Sequence, residues 1–237
     1  MKIIKNILNN IFLNRARPFY WDFLYRACKR YVNIYNNDGN KYMDINGEFN
    51  FISQVKPQIV FDVGANVGEY SKEILRVNPK AEIHCFEPIF DIDLSNSPNI
   101  HINKVAVGSK NGDKEIHISG ESTSFYDMPH ISTKQKRVVK VITLKDYCRK
   151  NNITEIDLLK IDVEGHELEV LKGLDIKPKY IQFEFGNTSK EARIMFKDIV
   201  DLLKDYKFYK IMPKGLKRLE YSLNLENCVY ANFVAKK

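Results

Sequence analysis

The 237-residue sequence has only four cysteines, Cys28, Cys85, Cys148 and Cys228, and no two of them are close. That spacing excludes a Cys-x-x-Cys zinc or redox motif and suits reduced thiols rather than a disulfide framework. Its five histidines, His84, His101, His117, His130 and His166, never repeat at the i, i+4 spacing of a helical metal site. No metal site is expected. No apolar run reaches the roughly 18–20 residues that cross a bilayer. The first five residues carry the charge of a secretion signal, but Asn6, Asn9, Asn10 and Asn14 interrupt the apolar stretch, and no small-residue cleavage site follows. A cytoplasmic chain is expected.

The sequence also lacks charge excess where a nucleic-acid binder would need it. The net charge is +7, yet Lys2, Lys5, Arg15, Arg17, Arg26, Lys29 and Arg30 face Asp22 alone within residues 1–30. The remaining 207 residues hold 30 basic and 29 acidic side chains. A nearly neutral main domain gives no electrostatic footing for DNA or RNA. Within the arm, Ile3, Ile4, Ile7, Leu8, Ile11 and Phe12 fall on one helical face, and an aromatic segment, Phe19 to Tyr25, follows Pro18. Two readings of this basic arm stay open. One is peripheral contact of residues 1–31 with an anionic membrane at its inner face; the other is a pair of helices covering an apolar surface of this chain or of a second copy in a homodimer. The expected division is an arm over residues 1–45 and a catalytic domain over 46–237.

From residue 57, short apolar runs alternate with helical stretches, which predicts an α/β fold with a mostly parallel sheet. Strands are expected over 59–63, 81–86, 100–107, 138–142, 156–161, 180–185, 207–212 and 228–235. Helices are expected over 69–77, 144–150, from about 168 to Gly173, and 190–206. Asn111-Gly112, with Ile116 and Ile118 beyond it, suggests an inserted antiparallel hairpin. Residues 119–137 are too polar for a core element and read as a long loop, of the kind that is functional or mobile.

Three stretches can carry chemistry. In Phe61-Asp-Val-Gly-Ala-Asn-Val-Gly68, a strand meets a glycine turn and a helix start. Gly64 and Gly68 allow close backbone approach to a ligand. Asn66 stands where the dinucleotide fingerprint needs its second glycine, which disfavours NAD. Asp62, a carboxylate at the strand end, would repel phosphate and suit an ammonium or sulfonium. Glu87 lies 19 residues past Gly68, near the offset of about 20 at which an acidic side chain meets ribose hydroxyls. A ribose, a cationic portion and no phosphate together describe S-adenosylmethionine. The third stretch, Ile156-Asp-Leu-Leu-Lys-Ile-Asp-Val-Glu-Gly-His-Glu167, delivers Asp162 and Glu164 to the carboxyl end of a buried strand. Such carboxylates also complement a helix start, and two hard ligands are too few to define a metal site.

These motifs, with Val105-Ala-Val-Gly108, Ser122-Thr-Ser124, Thr143-Leu-Lys-Asp-Tyr-Cys148 and Asn46-Gly-Glu48, resemble the FkbM-type S-adenosylmethionine-dependent methyltransferases from about residue 46 to 206. The resemblance implies the class I methyltransferase fold: a Rossmann-like, seven-stranded, mostly parallel sheet with helices on both faces and an antiparallel last strand. It implies that Asp62, Gly64, Asn66 and Gly68 hold the methionyl part of the cofactor, that Glu87 grips the ribose, and that Val105 and Ala106 lie by the adenine. Only residues 89–98 separate Pro88 from Asn99, where the family pattern has a fuller crossover helix. The expected reaction is methylation of a hydroxyl on a glycan, glycolipid or secondary metabolite. Asp162 is the first candidate for the base and His166 the second. The alternatives are a non-catalytic nucleotide-binding module and an NAD-dependent oxidoreductase.

Overall fold

The computed structural model describes residues 20–94, 97–119, 122–126 and 135–237. Residues up to 36 and residues 37–237 form two separate units. In the first, helix α1 (Tyr20–Asn36) stacks Tyr31 on Tyr35 at 6.5 Å between ring centroids. The helix expected over residues 3–12 lies outside the described residues.

The second unit opens with two short helices, α2 (Met43–Asn46) and α3 (Glu48–Val55), hinged at Gly47 in a left-handed conformation. Strand β1 (Ile59–Val63), helix α4 (Glu69–Val77) and strand β2 (Glu82–Phe86) form a parallel crossover, with Asp62 opposite Cys85. Side chains alternate across β1 as a strand's two-residue period requires. Phe61 and Val63 enter one apolar cluster with Phe86, Leu159 and Phe183, while Val60 enters another with Ile52, Ile74 and Ile83. Both faces are therefore buried, and each fully enclosed large side chain contributes roughly 1.5–3 kcal/mol.

The expected strand over 100–107 divides into β3 (Ile100–Asn103), on the edge of the large sheet, and β4 (Ala106–Val107), in a second sheet. A tight bend, Val105 N–H to Asn103 carbonyl at 2.9 Å, turns the chain between them. The second sheet adds β5 (Gly112–Ser119), β6 (Ser122–Ser124) and β7 (Gln135–Ile142) in the order β4-β7-β5-β6. Asn111-Gly112 is thus not a hairpin turn. β7 lies between β4 and β5, and the Asn111 carboxamide bonds to Thr143 and Asp146 at the start of helix α5 (Leu144–Lys150); the inserted antiparallel pairing is instead that of β5 with β6 and β7.

Strand β8 (Leu158–Ile161), helix α6 (Glu167–Lys172) and strand β9 (Tyr180–Phe185) continue the parallel sheet. The long helix expected over 190–206 is two helices, α7 (Asn187–Glu191) and α8 (Phe196–Leu202), with Arg193 left-handed between them. Carboxylates start the second: Asp198 accepts from Met195 N–H, and Glu226 from Phe196 and Lys197 N–H. The chain closes with β10 (Lys207–Met212), β11 (Gly215–Leu219) and β12 (Ala231–Lys236). The large sheet runs β11-β10-β12-β9-β8-β1-β2-β3, with β12 antiparallel to both neighbours. It contains the seven strands expected plus β11, an antiparallel hairpin partner of β10 on the edge.

Candidate active site

The glycine turn exists because two strand ends crowd together. A Cβ on Gly64, whose φ is +81°, would stand 1.8 Å from the carbonyl oxygen of Asp162, just beyond β8. Gly68 serves packing instead: a Cβ there would meet Ile92 at 2.8 Å. Ile92 and Leu94 belong to the connection from β2 to β3, which holds no helix among its described residues. Glu87 fastens the start of that connection. Its Oε1 accepts from Ile89 N–H (2.8 Å) and Phe90 N–H (3.1 Å), and its Oε2 from Asn66 N–H (3.1 Å). A carboxylate has about four acceptor sites, so one remains for a ligand hydroxyl. Burial raises the Glu87 carboxyl above its usual range, against these three hydrogen bonds.

Two cavities flank the turn. The first, about 260 Å³, is lined by Gly64, Asn66, Glu87, Ala106, Ser124 and Asp162 among others. The second, about 390 Å³, includes Glu48, Asp62, Tyr70, Lys160, Asp162 and Tyr230. Gly64, Asn66 and Asp162 border both. Val105 faces a different hollow, with His101 and Tyr147. His166 lines a separate depression with Gly108, Tyr126 and Glu169. The two expected base candidates are thus not brought into one cavity. Nor is His166 a solvated helix residue. It is buried at the start of α6 against the Phe125 ring, with Tyr126 Oη 3.3 Å from Nδ1, and burial lowers it to about 4.

The second cavity has a floor that the sequence reading missed. Register places Cys85, Asp62, Lys160 and Gln182 side by side on adjacent strands, on one face of the sheet. Lys160, 5% exposed, donates to Asp162 Oδ2 at 2.8 Å. Burial works against its charge, but Asp162, Asp62 and Glu48 together hold the ammonium above the ordinary lysine range. Gln182 donates to Glu48 Oε1 (2.5 Å) and accepts from Tyr70 Oη (2.6 Å). Ser71 donates to Asp62 Oδ2 at 2.6 Å, while the buried Asp62 Oδ1 has no hydrogen-bond partner among the described residues. Burial raises Asp62 as well. The only signal in the sequence was polar side chains inside apolar strands, Lys160 after Leu158-Leu159 and Gln182 after Tyr180-Ile181.

Beyond β8 the backbone turns through two left-handed residues, Glu164 (φ +51°) and Gly165 (φ +96°). A non-glycine residue in that region is strained and must be held by its surroundings. Ser124 does so, donating from Oγ to the Glu164 carbonyl at 2.9 Å, so β6 is tied to the strand end that carries Asp162.

The chain matches the family described as Methyltransferase FkbM domain over residues 62–209, more than half its length, and it belongs to that family. Its members are S-adenosylmethionine-dependent methyltransferases. The chain is 25% identical to the 2-O-methyltransferase NoeI of Sinorhizobium fredii, over 67% of this chain and 76% of that protein. It is 26% identical to the hexuronic acid methyltransferase AglP of Haloferax volcanii, over 63% of this chain and 62% of that protein. A solved structure of the methyltransferase FkbM from Methylobacillus flagellatus superimposes with a TM-score of 0.46 at 16% identity, covering 76% of this chain and 44% of that one. Family membership removes the NAD-dependent oxidoreductase reading. No helix among the described residues is long and apolar enough to cross a membrane.

Proposed function

We propose that this protein methylates a hydroxyl of a sugar-type acceptor, with Asp162 taking the hydroxyl proton. The observation that carries the reading is the position of Asp162 on the rim shared by the two cavities, with one carboxylate oxygen held by Lys160. The names of the two relatives above, a 2-O-methyltransferase and a hexuronic acid methyltransferase, support the acceptor class.

The residues fit the cofactor. The orphaned Asp62 Oδ1 offers a buried negative atom to an ammonium or sulfonium, Gly64 keeps the turn free of a side chain, and Glu87 keeps an acceptor for a ribose hydroxyl. S-adenosylmethionine, when bound, supplies an activated methyl group. The protein's part is alignment and proton removal. Lys160 fixes the Asp162 carboxylate by a charge-assisted hydrogen bond, so its free oxygen faces the acceptor in one orientation. The Asp162 oxygen would take the acceptor's hydroxyl proton while the acceptor oxygen takes the methyl of the bound cofactor, whose carbon–sulfur bond breaks to leave a neutral thioether. Walls from β6 and from the connection after β2 limit water.

Asp162→Asn tests the assignment. It should lower turnover by a factor of 10² or more, on the order of a general base's contribution. Cofactor affinity, measured by isothermal titration, should change little. Unaltered turnover on a hexuronic acid or other sugar acceptor would clear Asp162 of the role.

A further inference from the structure

We propose that helix α1 docks this protein on an anionic lipid bilayer, lying in the plane of the surface rather than across it. At 3.6 residues per turn, Phe23, Leu24, Tyr31, Val32, Ile34 and Tyr35 fall within one arc of about 180°. The opposite side carries Asp22, Arg26, Lys29, Arg30, Asn33 and Asn36, and no apolar residue interrupts it. Yet the six apolar side chains of the arc are 45–73% exposed. A helix of 17 residues is barely stable alone in water, and a surface helix ordinarily draws its stability from burying such a face. The face is built for a partner.

Its charge and composition select a lipid surface. Within the helix, Arg26, Lys29 and Arg30 face Asp22 alone, and the 19 residues before it add Lys2, Lys5, Arg15 and Arg17 with no acidic side chain. Each basic side chain near an anionic bilayer strengthens binding about 5-fold. Lys29 and Arg30 flank the arc, where a long stem lies along apolar surface while its charge reaches a lipid phosphate. The arc is also rich in rings with a polar tip. Tyr31 and Tyr35 stack upon each other, and such rings sit at headgroup level, where one end is apolar and the other wet.

A second copy of the helix fits less well. Paired helices bury a narrow seam with a 3.5-residue repeat, which would leave much of this arc in water. Pairing would also bring Lys29 and Arg30 close to the same cations of the copy. Nor does the helix suit a bilayer's interior, because its polar side carries four charges and two carboxamides. An amphipathic helix with a basic polar side lies at the boundary between headgroups and acyl chains. Docking of α1 is independent of which acceptor the crevice takes.

Trp21 is the chain's single tryptophan and belongs to α1, so its fluorescence reports on this helix alone. The test titrates the full-length protein with vesicles of mixed phosphatidylcholine and phosphatidylglycerol, and with vesicles of phosphatidylcholine alone. With the mixed vesicles the protein should co-sediment, and the Trp21 emission should move to shorter wavelength. Binding to phosphatidylcholine alone should be at least about 10-fold weaker, and added salt should weaken binding to the mixed vesicles. Replacing the three cations together, Arg26→Gln with Lys29→Gln and Arg30→Gln, should weaken that binding roughly 100-fold. Phe23→Ser with Ile34→Ser should weaken it at least about 10-fold. All five positions are exposed, so the melting temperature of the methyltransferase domain should not move, which separates lost docking from lost folding. Four results would overturn the proposal: no co-sedimentation with mixed vesicles, equal binding to phosphatidylcholine alone, undiminished binding by Phe23→Ser with Ile34→Ser, or a dimer in gel filtration that ignores vesicles and dissociates on those two substitutions. The last would assign the face to a second copy.

Discussion

Replacing Glu167 by glutamine should stabilise the protein, and only at high pH. Glu167 opens α6 and is buried, its Oε1 accepting from Gly165 N–H at 3.1 Å. Burial, with Asp162 and Glu164 nearby, raises its carboxyl from 4.5 to about 7 despite that hydrogen bond. In the unfolded chain the group returns to its ordinary value. Below that value the carboxyl is protonated in both states and takes nothing from stability. As pH rises through the folded value, the native state must hold a buried charge that the unfolded state leaves in water. The shift corresponds to about 3 kcal/mol at 1.36 kcal/mol per pH unit. Glutamine keeps the carbonyl acceptor for Gly165 and never ionises. Urea denaturation of both proteins at intervals from pH 4.5 to 8.5 should therefore give a stability difference near zero at the acid end. The difference should grow with pH and level off above about pH 7.5 at a few kcal/mol in favour of Glu167→Gln. For a unit of this size the gain is roughly 6–12 °C in melting temperature at the plateau. A constant offset across the range would mean that the residue acts through packing, and a negative difference at pH 8.5 would refute the reasoning outright.

Gly64→Ala should abolish folding or cost more than about 3 kcal/mol, since its methyl cannot coexist with the Asp162 carbonyl unless β1 and β8 separate; an unchanged denaturation midpoint would contradict that crowding. Glu87→Gln should weaken S-adenosylmethionine binding by about 1–3 kcal/mol in calorimetry, from loss of a charged acceptor for a ribose hydroxyl. Glutamine can keep Oε1 for Ile89 and Phe90 and gives up only the acceptor of Asn66 N–H, whereas alanine would strip all three N–H groups, so equal affinity in the glutamine variant is the cleaner refutation. Lys160→Met should destabilise the protein by about 3–5 kcal/mol at pH 7, because it leaves Glu48, Asp62 and Asp162 without their shared cation. That deficit should shrink toward pH 4 as Glu48 and Asp62, both raised by burial, take up protons, and a pH-independent deficit would argue against the electrostatic account.

The parts of this fold that could be read in the sequence are those where one local signal decides the outcome. β1, the glycine turn and α4 fall at Ile59–Val63 and Glu69–Val77, where an apolar run, two glycines and a helical pattern follow one another. The break between α7 and α8 could not be read the same way, because Glu226, which caps α8, is about thirty residues downstream. The same holds for the inserted sheet: Asn111-Gly112 has hairpin composition, but the distant Thr143 and Asp146 claim the asparagine. Asp62, Glu87 and Asp162 were recognisable because each ends a strand. Lys160 and Gln182 sit within strands, and their meaning depends on register across three chain segments.

The row from Asp62 through Lys160 to Gln182 also explains why the crevice opens where it does. At Val60 and Phe61 the same sheet is covered by apolar contacts on both faces. Burying an ammonium and two carboxylates, Glu48 and Asp62, beside the partly exposed Asp162 costs several kcal/mol per ion unless geometry and hydrogen bonds offset it. Here Asn46 and Gln182 donate to Glu48 and Ser71 to Asp62, Tyr70 holds Gln182 in place, and Lys160 meets part of the charge. The remainder is negative and includes one unsatisfied oxygen, Asp62 Oδ1. A cationic ligand at this floor would complete the charge balance, whereas a phosphate would worsen it. If S-adenosylmethionine binds at this floor as proposed, the same buried charges that burden the fold would favour its positively charged sulfur.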